Sequence, residues 1–300
     1  MKNDSITYVD LMADVAFKQV FGKESNKDLL LALLRSVLPE KNIQDLSYLN
    51  TEMSGEHEKS KRSRFDVLCS LQDGSKVIVE VQVRAQNYFA DRALYYSAYE
   101  IIEQHRSDDD YNDYTLTPVC VVSFLDFTRE HSQIKPGQVK WHYTLRDDDG
   151  ERMNHALDFV FVELPRFVKT REELVNDEEK FYFCLRHMSK FKSRPNELEG
   201  AVFENLFKKA KYAAMSAEQQ KDYRAFMTTE RDIRNQIAYA AQQAEAKGEA
   251  KGEAKGRAEG RAEGEAKGKL ETAAKLKALG VPAETIIQAT GLTAEQVENL

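Results

Sequence analysis

Residues 64–84 read Arg-Phe-Asp-Val-Leu-Cys-Ser-Leu, then Gln-Asp-Gly, then Ser-Lys-Val-Ile-Val-Glu-Val-Gln-Val-Arg. Both halves alternate with period two and are rich in Val, Ile, Leu and Phe, the pattern of two β-strands joined by a tight turn. Gly74 is the residue best able to take positive φ, so a three-residue loop ending in a left-handed glycine uses Gln72, Asp73 and Gly74. That loop pairs Leu71 with Ser75. Counting back along an antiparallel ladder sets Asp66 opposite Glu80, with Gln82 a diagonal neighbour.

The odd positions Phe65, Val67, Cys69, Leu71, Val77, Val79, Val81 and Val83 then form one apolar face. The other face carries Arg64, Asp66, Leu68, Lys76, Ile78, Glu80, Gln82 and Arg84. Its two carboxylates would have β-carbons about 5 Å apart. Acids that close repel unless a proton or cation lies between them. A hard divalent ion suits such oxygen ligands, and it would lower the pKa of a bound water and stabilise charge developing on a phosphate. The same hairpin also fits a solvent-facing ribbon whose acids pair with Lys76 and Arg84.

Other stretches add candidates. Asp10 to Phe21 has helical spacing and ends at Gly22, with Asp14 and Lys18 four apart on one face, either site-facing or a surface ion pair. A second helix runs from a Ser25 or Asn26 cap to Pro39, and Ile43 to Leu49 reads as a strand. Lys59, Lys61, Arg62 and Arg64 end a polar excursion just ahead of Asp66, placed either to steer phosphate or as an ordinary charged loop. Beyond the hairpin, Asn87 is positioned to cap a helix reaching about His105, with Arg92, Tyr95, Tyr96, Tyr99 and Ile102 at helical spacing. Such an aromatic face is core or base platform, and Arg92 and Tyr96 are candidate phosphate and water-positioning groups. After an acidic stretch at Asp108 to Asp113, Thr115 to Phe127 carries a near-continuous apolar run, a strand buried on both faces and parallel to the Glu80 strand through a β-α-β unit. Val139 to Leu145 and Leu157 to Leu164 flank Asp147-Asp-Asp-Gly150 as a second hairpin, and from Arg171 the pattern turns helical.

The whole chain has 300 residues, 42% of them apolar, 31% charged, and a net charge of −7. Those values allow a real core and weigh mildly against a surface coated with nucleic acid, although a local basic groove can hide in an acidic protein. Cys69, Cys120 and Cys184 are too scattered for a disulfide framework or a C-x-x-C pair, and the six histidines lack zinc-site spacing. The start lacks an apolar h-region and no segment is apolar enough to span a membrane, so a cytoplasmic protein is expected.

Residues 244–269 repeat every four, with glycine at 248, 252, 256, 260, 264 and 268. A period of four drifts around a 3.6-residue helix. Each glycine costs about 1 kcal/mol against alanine, and pairs such as Glu253 with Arg257 and Lys255 with Glu259 return only about 0.3 kcal/mol each. A long helix stabilised by self-association is expected, with a solvated linker as the alternative. Gly280 then ends a helix from Leu270, and two short capped helices form a helix-turn-helix-like tail with too few basic residues to read DNA.

Asp66, the hairpin and Glu80-Val81-Gln82 resemble the D…E-x-K signature of the PD-(D/E)XK nuclease superfamily, with Gln for the usual Lys. Together with Asp14-Val-Ala-Phe-Lys-Gln-Val-Phe-Gly22, Ala90-Asp-Arg-Ala-Leu-Tyr-Tyr96, Glu163-Leu-Pro-Arg-Phe167 and the glycine repeats, nearly the whole chain resembles the Rpn family of recombination-promoting nucleases, often grouped with transposases. The resemblance implies a restriction-endonuclease-like α/β fold, a mixed sheet flanked by helices. With the residue pattern it divides the chain into a nuclease core over 1–167, a helical extension over 168–243, the repeat over 244–269 and a small helical tail over 270–300. It also implies a DNA endonuclease using Mg²⁺ or Mn²⁺ held by Asp66, Glu80 and the Val81 carbonyl, with Gln82 orienting water. Gln carries no positive charge, so Arg84, Arg92, Lys18 and Lys76 are the candidates to neutralise the transition state. A catalytically weak DNA-associated module assembled through the repeat as a homo-oligomer, or a purely structural oligomerisation protein, are the rival readings.

Overall fold

A computed structural model describes residues 6–50, 65–104 and 115–300. Six strands form one mixed sheet in the order β1-β2-β3-β4-β6-β5. They are β1 (Leu46–Tyr48), β2 (Val67–Leu71), β3 (Lys76–Gln82), β4 (Val119–Leu125), β5 (Lys140–Thr144) and β6 (Leu157–Glu163). The helices are α1 (Asp14–Phe21), α2 (Lys27–Val37), α3 (Phe89–Glu103), α4 (Asp177–His187), α5 (Ala201–Lys209), α6 (Ala217–Ala278), α7 (Ala283–Thr290) and α8 (Ala294–Glu298). This is the restriction-endonuclease-like α/β architecture expected from the sequence.

The turn at Gly74 sets the register as counted. Gly74 has φ of 82°, its N–H donates to the Leu71 carbonyl at 3.0 Å, and the Leu71 N–H donates to the Ser75 carbonyl at 2.8 Å. Asp73 Oδ1 accepts from the Ser75 N–H at 3.0 Å and locks the same corner. Pairing then runs through Ser70 with Lys76 to Val67 with Val79. The ladder ends there, one residue short of Asp66, whose charge still reaches Glu80.

Strands β3 and β4 are parallel, as the β-α-β pattern requires, with Glu80 beside Ser123 and Gln82 beside Leu125. Every residue of β4 is buried. β6 lies parallel to β4 and antiparallel to β5, so the second hairpin forms the far edge. One face of the sheet, including Val67, Cys69, Val77, Val79, Val122 and Val162, packs with α1, α2, α4 and α5. The opposite face, including Leu68, Ile78, Val121 and Phe161, packs with Phe89 and Ala93 of α3. Each such aliphatic or aromatic side chain withdrawn from water contributes roughly 1.5–3 kcal/mol, which is why β4 is apolar on both faces while β3 keeps Lys76, Glu80 and Gln82 on one.

Several local expectations change. Phe65 leaves the Val67 face and packs with Leu68, Ile78 and Tyr96, because the backbone bends at Asp66 before the strand begins. The first helix starts at Asp14 and not at Asp10, since Asp10 Oδ1 accepts the Met12 N–H at 3.0 Å in a preceding turn. Asn26 occupies the cap position of α2, but its side chain reaches back to the carbonyls of Gln19 at 3.0 Å and Val20 at 3.1 Å. The residue before α3 is Tyr88, in the left-handed region at φ 65°, so Asn87 is not its cap. β1 is shorter than Ile43 to Leu49, because Arg35 takes the carbonyls of Ile43 at 2.6 Å and Gln44 at 2.8 Å.

Residues 1–227 and 228–300 are separate compact units. The repeat is helical, lying inside the 62-residue α6, and its six glycines face open space. The ion pairs Glu253 with Arg257 and Lys255 with Glu259 form as spaced. In the second unit Ala273, Ile286, Leu292 and Val297 make a small core for the tail helices. Among the described residues no helix is long and apolar enough to cross a membrane.

The turn geometry makes a direct prediction. Gly74→Ala forces a β-carbon into the left-handed region and should cost about 1–2 kcal/mol, while Gly74→Asn should cost less. Urea unfolding measures both, and an alanine variant as stable as the parent would mean that the hairpin turns elsewhere.

Candidate functional site

The end of β3 gathers side chains from three elements. Asp66 lies just before β2, with its side chain 10% exposed, and its Oδ2 accepts the Val81 N–H at 2.9 Å. Val81 N–H is the ladder donor that faces the missing continuation of β2, so the carboxylate substitutes for a backbone carbonyl. Its Oδ1 is 3.4 Å from Lys18 Nζ. Lys18 in turn is 2.7 Å from Asp14 Oδ1, one turn back along α1. The i,i+4 spacing read in the sequence therefore serves the site and the ion pair together.

Glu80 and Gln82 follow on the α3 face of β3. Glu80 Oε1 is buried and accepts no hydrogen bond among the described residues. Gln82 is held at both ends of its amide, with Oε1 accepting from Arg92 at 2.5 Å and Nε2 donating to the Arg84 carbonyl at 3.1 Å. Arg92 also donates to Gln86 Oε1. One N–H and one lone pair of the Gln82 amide are left to face a ligand.

The electrostatics are those of acids short of positive charge. Burial, then the neighbouring Asp14 charge, push the Asp66 carboxyl up to about 6, against the pull of the Val81 N–H and Lys18. Burial and the Asp66 charge push Glu80 well above the ordinary carboxylate range, with Arg92 and Lys18 only partly offsetting them. Burial would lower the Lys18 ammonium, but the hydrogen bond to Asp14 and the charges of Asp66 and Asp14 outweigh it and hold Lys18 above its usual value.

Other candidates lie apart. Lys76, at the opposite end of β3, pairs with buried Glu100 of α3 at 3.0 Å, so it is a structural counter-ion and not a neighbour of Glu80. Tyr96, half-buried, packs edge-on against Phe65 with ring centres 5.6 Å apart, whereas Tyr95 and Ile102, read on the same face, are 70% and 60% exposed, so that face is not core throughout. Arg84 is half-buried just past β3. Arg64, with Lys59, Lys61 and Arg62, falls outside the described residues, as does the acidic stretch from Asp108 to Asp113.

A neighbouring cluster carries residues that the sequence did not single out as chemistry. Glu163, fully buried at the end of β6, accepts from the Arg129 N–H at 3.1 Å and from Arg166 Nε at 2.6 Å, and meets His131 Nε2 at 2.5 Å. Burial alone would raise its pKa, but Arg166, His131 and the Arg129 N–H together hold it below the usual value. Trp141 stacks on His131 with ring centres 4.1 Å apart. Gln82, Leu125 and Glu163 occupy one cross-strand row, so this cluster braces the same sheet edge as the acids. The Glu163-Leu-Pro-Arg166 motif was its only sequence signal, through the i,i+3 Arg.

The donor set fits a hard divalent ion. Asp66 and Glu80 present oxygen only, Glu80 Oε1 lacks a donor, and both acids sit above their ordinary pKa values. Among the described residues no group of three or more His, Cys, Asp or Glu forms a ready-made metal cage. Mg²⁺ commonly uses one or two carboxylates and fills its remaining positions with water and phosphate oxygens.

A family model described as PD-(D/E)XK nuclease family transposase matches residues 11–240. Searches of curated proteins and of solved structures gave no significant match.

The raised acids predict an inverted pH response. The unfolded chain releases these carboxyl protons near pH 4, before the folded chain does, so without divalent ions stability should fall as pH rises from about 4 through the raised folded-state values. Glu80→Gln should flatten that slope and melt higher than the parent at about pH 8. Mg²⁺ should raise the parent's melting temperature there, and more than at about pH 5. Thermal melting against pH checks each, and a variant as pH-dependent as the parent would refute the arrangement.

Proposed function

Because the chain belongs to the PD-(D/E)XK nuclease family transposases, we propose that it is a metal-dependent DNA endonuclease whose reaction centre is the Asp66–Glu80 pair. The observation that carries this reading is the buried Glu80 Oε1, without a hydrogen-bond donor beside a second raised carboxyl. Mg²⁺ or Mn²⁺ would be held by Asp66, Glu80 and the Val81 carbonyl. When bound, the ion supplies a Lewis acid that acidifies water and neutralises phosphate charge.

The chain's own residues divide the remaining work. Gln82, its amide plane fixed by Arg92 and the Arg84 carbonyl, orients the water whose oxygen attacks phosphorus while the bond to the leaving sugar oxygen breaks. Gln82 stands where the superfamily signature has Lys. Lys18, 3.4 Å from Asp66 Oδ1, brings the missing ammonium from α1, and Arg92 brings a second positive charge from α3. Asp14 holds Lys18 in place and protonated.

Nicking of supercoiled plasmid in Mg²⁺ tests the assignment. Asp66→Ala should lose activity entirely, and Lys18→Ala should fall about a hundredfold, the scale for losing one group that stabilises transition-state charge. Adding Gln82→Lys to Lys18→Ala should restore part of that loss. Equal nicking by Asp66→Ala would point to a contaminating nuclease and end the reading.

The repeat within α6 serves self-association. Six exposed glycines at about 1 kcal/mol each exceed the return from surface ion pairs of about 0.3 kcal/mol, so the 62-residue helix needs packing from outside its own chain. Mass measurement of the full chain beside a form ending at residue 243 should show loss of the oligomer. An unchanged oligomer would remove this role.

A further inference from the structure

On the α3 face of the sheet, two strands from Glu80, lies a groove of about 300 Å³. Phe159, Phe161, Tyr143 and Leu94 line it, with Arg129 and Asp91 supplying its charged groups. Tyr143, 38% exposed, and Leu94, 49% exposed, form its open rim, while Phe161 is buried at its floor. Arg129 is held over the Tyr143 ring at 5.2 Å and the Phe161 ring at 4.8 Å, donates to the Tyr143 hydroxyl, and is anchored below by Glu163.

The sheet register fixes where this groove stands. Glu80, Ser123 and Phe161 form one cross-strand row on parallel strands. Neighbouring strands are about 4.8 Å apart, so Phe161 is about 10 Å from Glu80 on the same face. One turn of α3 joins the two places: Arg92 turns to Gln82, while Asp91 and Leu94 turn to the groove. A phosphate at Glu80 therefore leaves the attached nucleotide within reach of the aromatic walls.

We propose that this groove binds one unstacked nucleobase of the nucleic acid strand whose phosphate lies at Glu80. The inference rests on the endonuclease reading and extends it to what the protein grips besides the backbone. Aromatic walls offer any base a stacking surface without choosing its sequence. The Arg129 guanidinium and the Asp91 carboxylate offer one donor and one acceptor to the base edge. An apolar peptide side chain is the competing occupant, and the charged pair together with the adjoining phosphate site favour the base.

Binding of the full chain to two short single strands decides it, with Ca²⁺ replacing Mg²⁺ to suppress cleavage. One strand is oligothymidine, and the other has the same backbone with every base replaced by an abasic spacer. Tyr143→Ala should weaken oligothymidine binding about tenfold, the scale of one lost base–aromatic stack, and should leave abasic binding unchanged. Tyr143→Phe should bind like the parent, and Leu94→Glu, which alters the exposed rim without touching Tyr143, should repeat the selective loss. Equal weakening on both strands, or no weakening on either, overturns the groove assignment while the phosphate site stands. Failure of the parent to bind either this strand or a duplex would sink the endonuclease reading, and the groove assignment with it.

Discussion

The hydrogen bond from the Val81 N–H to Asp66 Oδ2, 2.9 Å long, joins the fold to the candidate site. Backbone pairing between β2 and β3 stops at Val67 with Val79, and the next inward N–H must still be satisfied. A carboxylate takes it, and the chain turns away at that point. An acid used as a ladder terminator is necessarily fixed in position and drawn out of water. Its second oxygen is then committed to the space beside Glu80. The same contact that ends the strand pair creates the electrostatic problem that the surroundings must solve.

The solution is assembled from both layers of the fold. Lys18 comes from α1, which packs on one face of the sheet, and Arg92 comes from α3, which covers the other. They converge at the end of β3, one on Asp66 and one on Gln82. Neither is supplied by the hairpin, so the site exists only once both helices have docked. The Glu163 cluster repeats this logic two strands away, where one buried acid collects Arg129, Arg166 and His131 and holds the chain after β4 against the sheet. There the cations outnumber the acid and its pKa falls; at Glu80 the acids prevail and theirs rise.

What was legible in the sequence follows from how local each decision is. The register was readable because Gly74 lies three residues past the end of β2 and two before the start of β3, and only one turn gives it positive φ without strain. The double burial of β4 was readable because an uninterrupted apolar run has no polar face to show water. Lys76 was misplaced because its partner Glu100 lies 24 residues away, across a helix whose docking no spacing rule reports. Asn26 looked like a cap, yet two carbonyls at the end of α1 compete for its amide and win. Arg129 escaped notice because its partner Glu163 is 34 residues distant, and the motif around Glu163 points only to Arg166.

The charge balance at the end of β3 constrains the order of events on the proposed reading. Asp14, Asp66 and Glu80 can carry three negative charges, while Lys18 and Arg92 bring two positive ones. A phosphodiester arriving at that cluster adds another negative charge in a place with little solvent to screen it. Protons held by the raised acids relieve the repulsion, but they also remove the ligands that a cation needs. On that reading a divalent ion would relieve it without that loss, and its affinity would rise when a phosphate shares its coordination. By thermodynamic reciprocity a nucleic acid would then bind more tightly to the cation-loaded protein by the same factor. Gln82 in place of a lysine would strengthen this coupling, because an uncharged amide leaves more of the compensation to the ion.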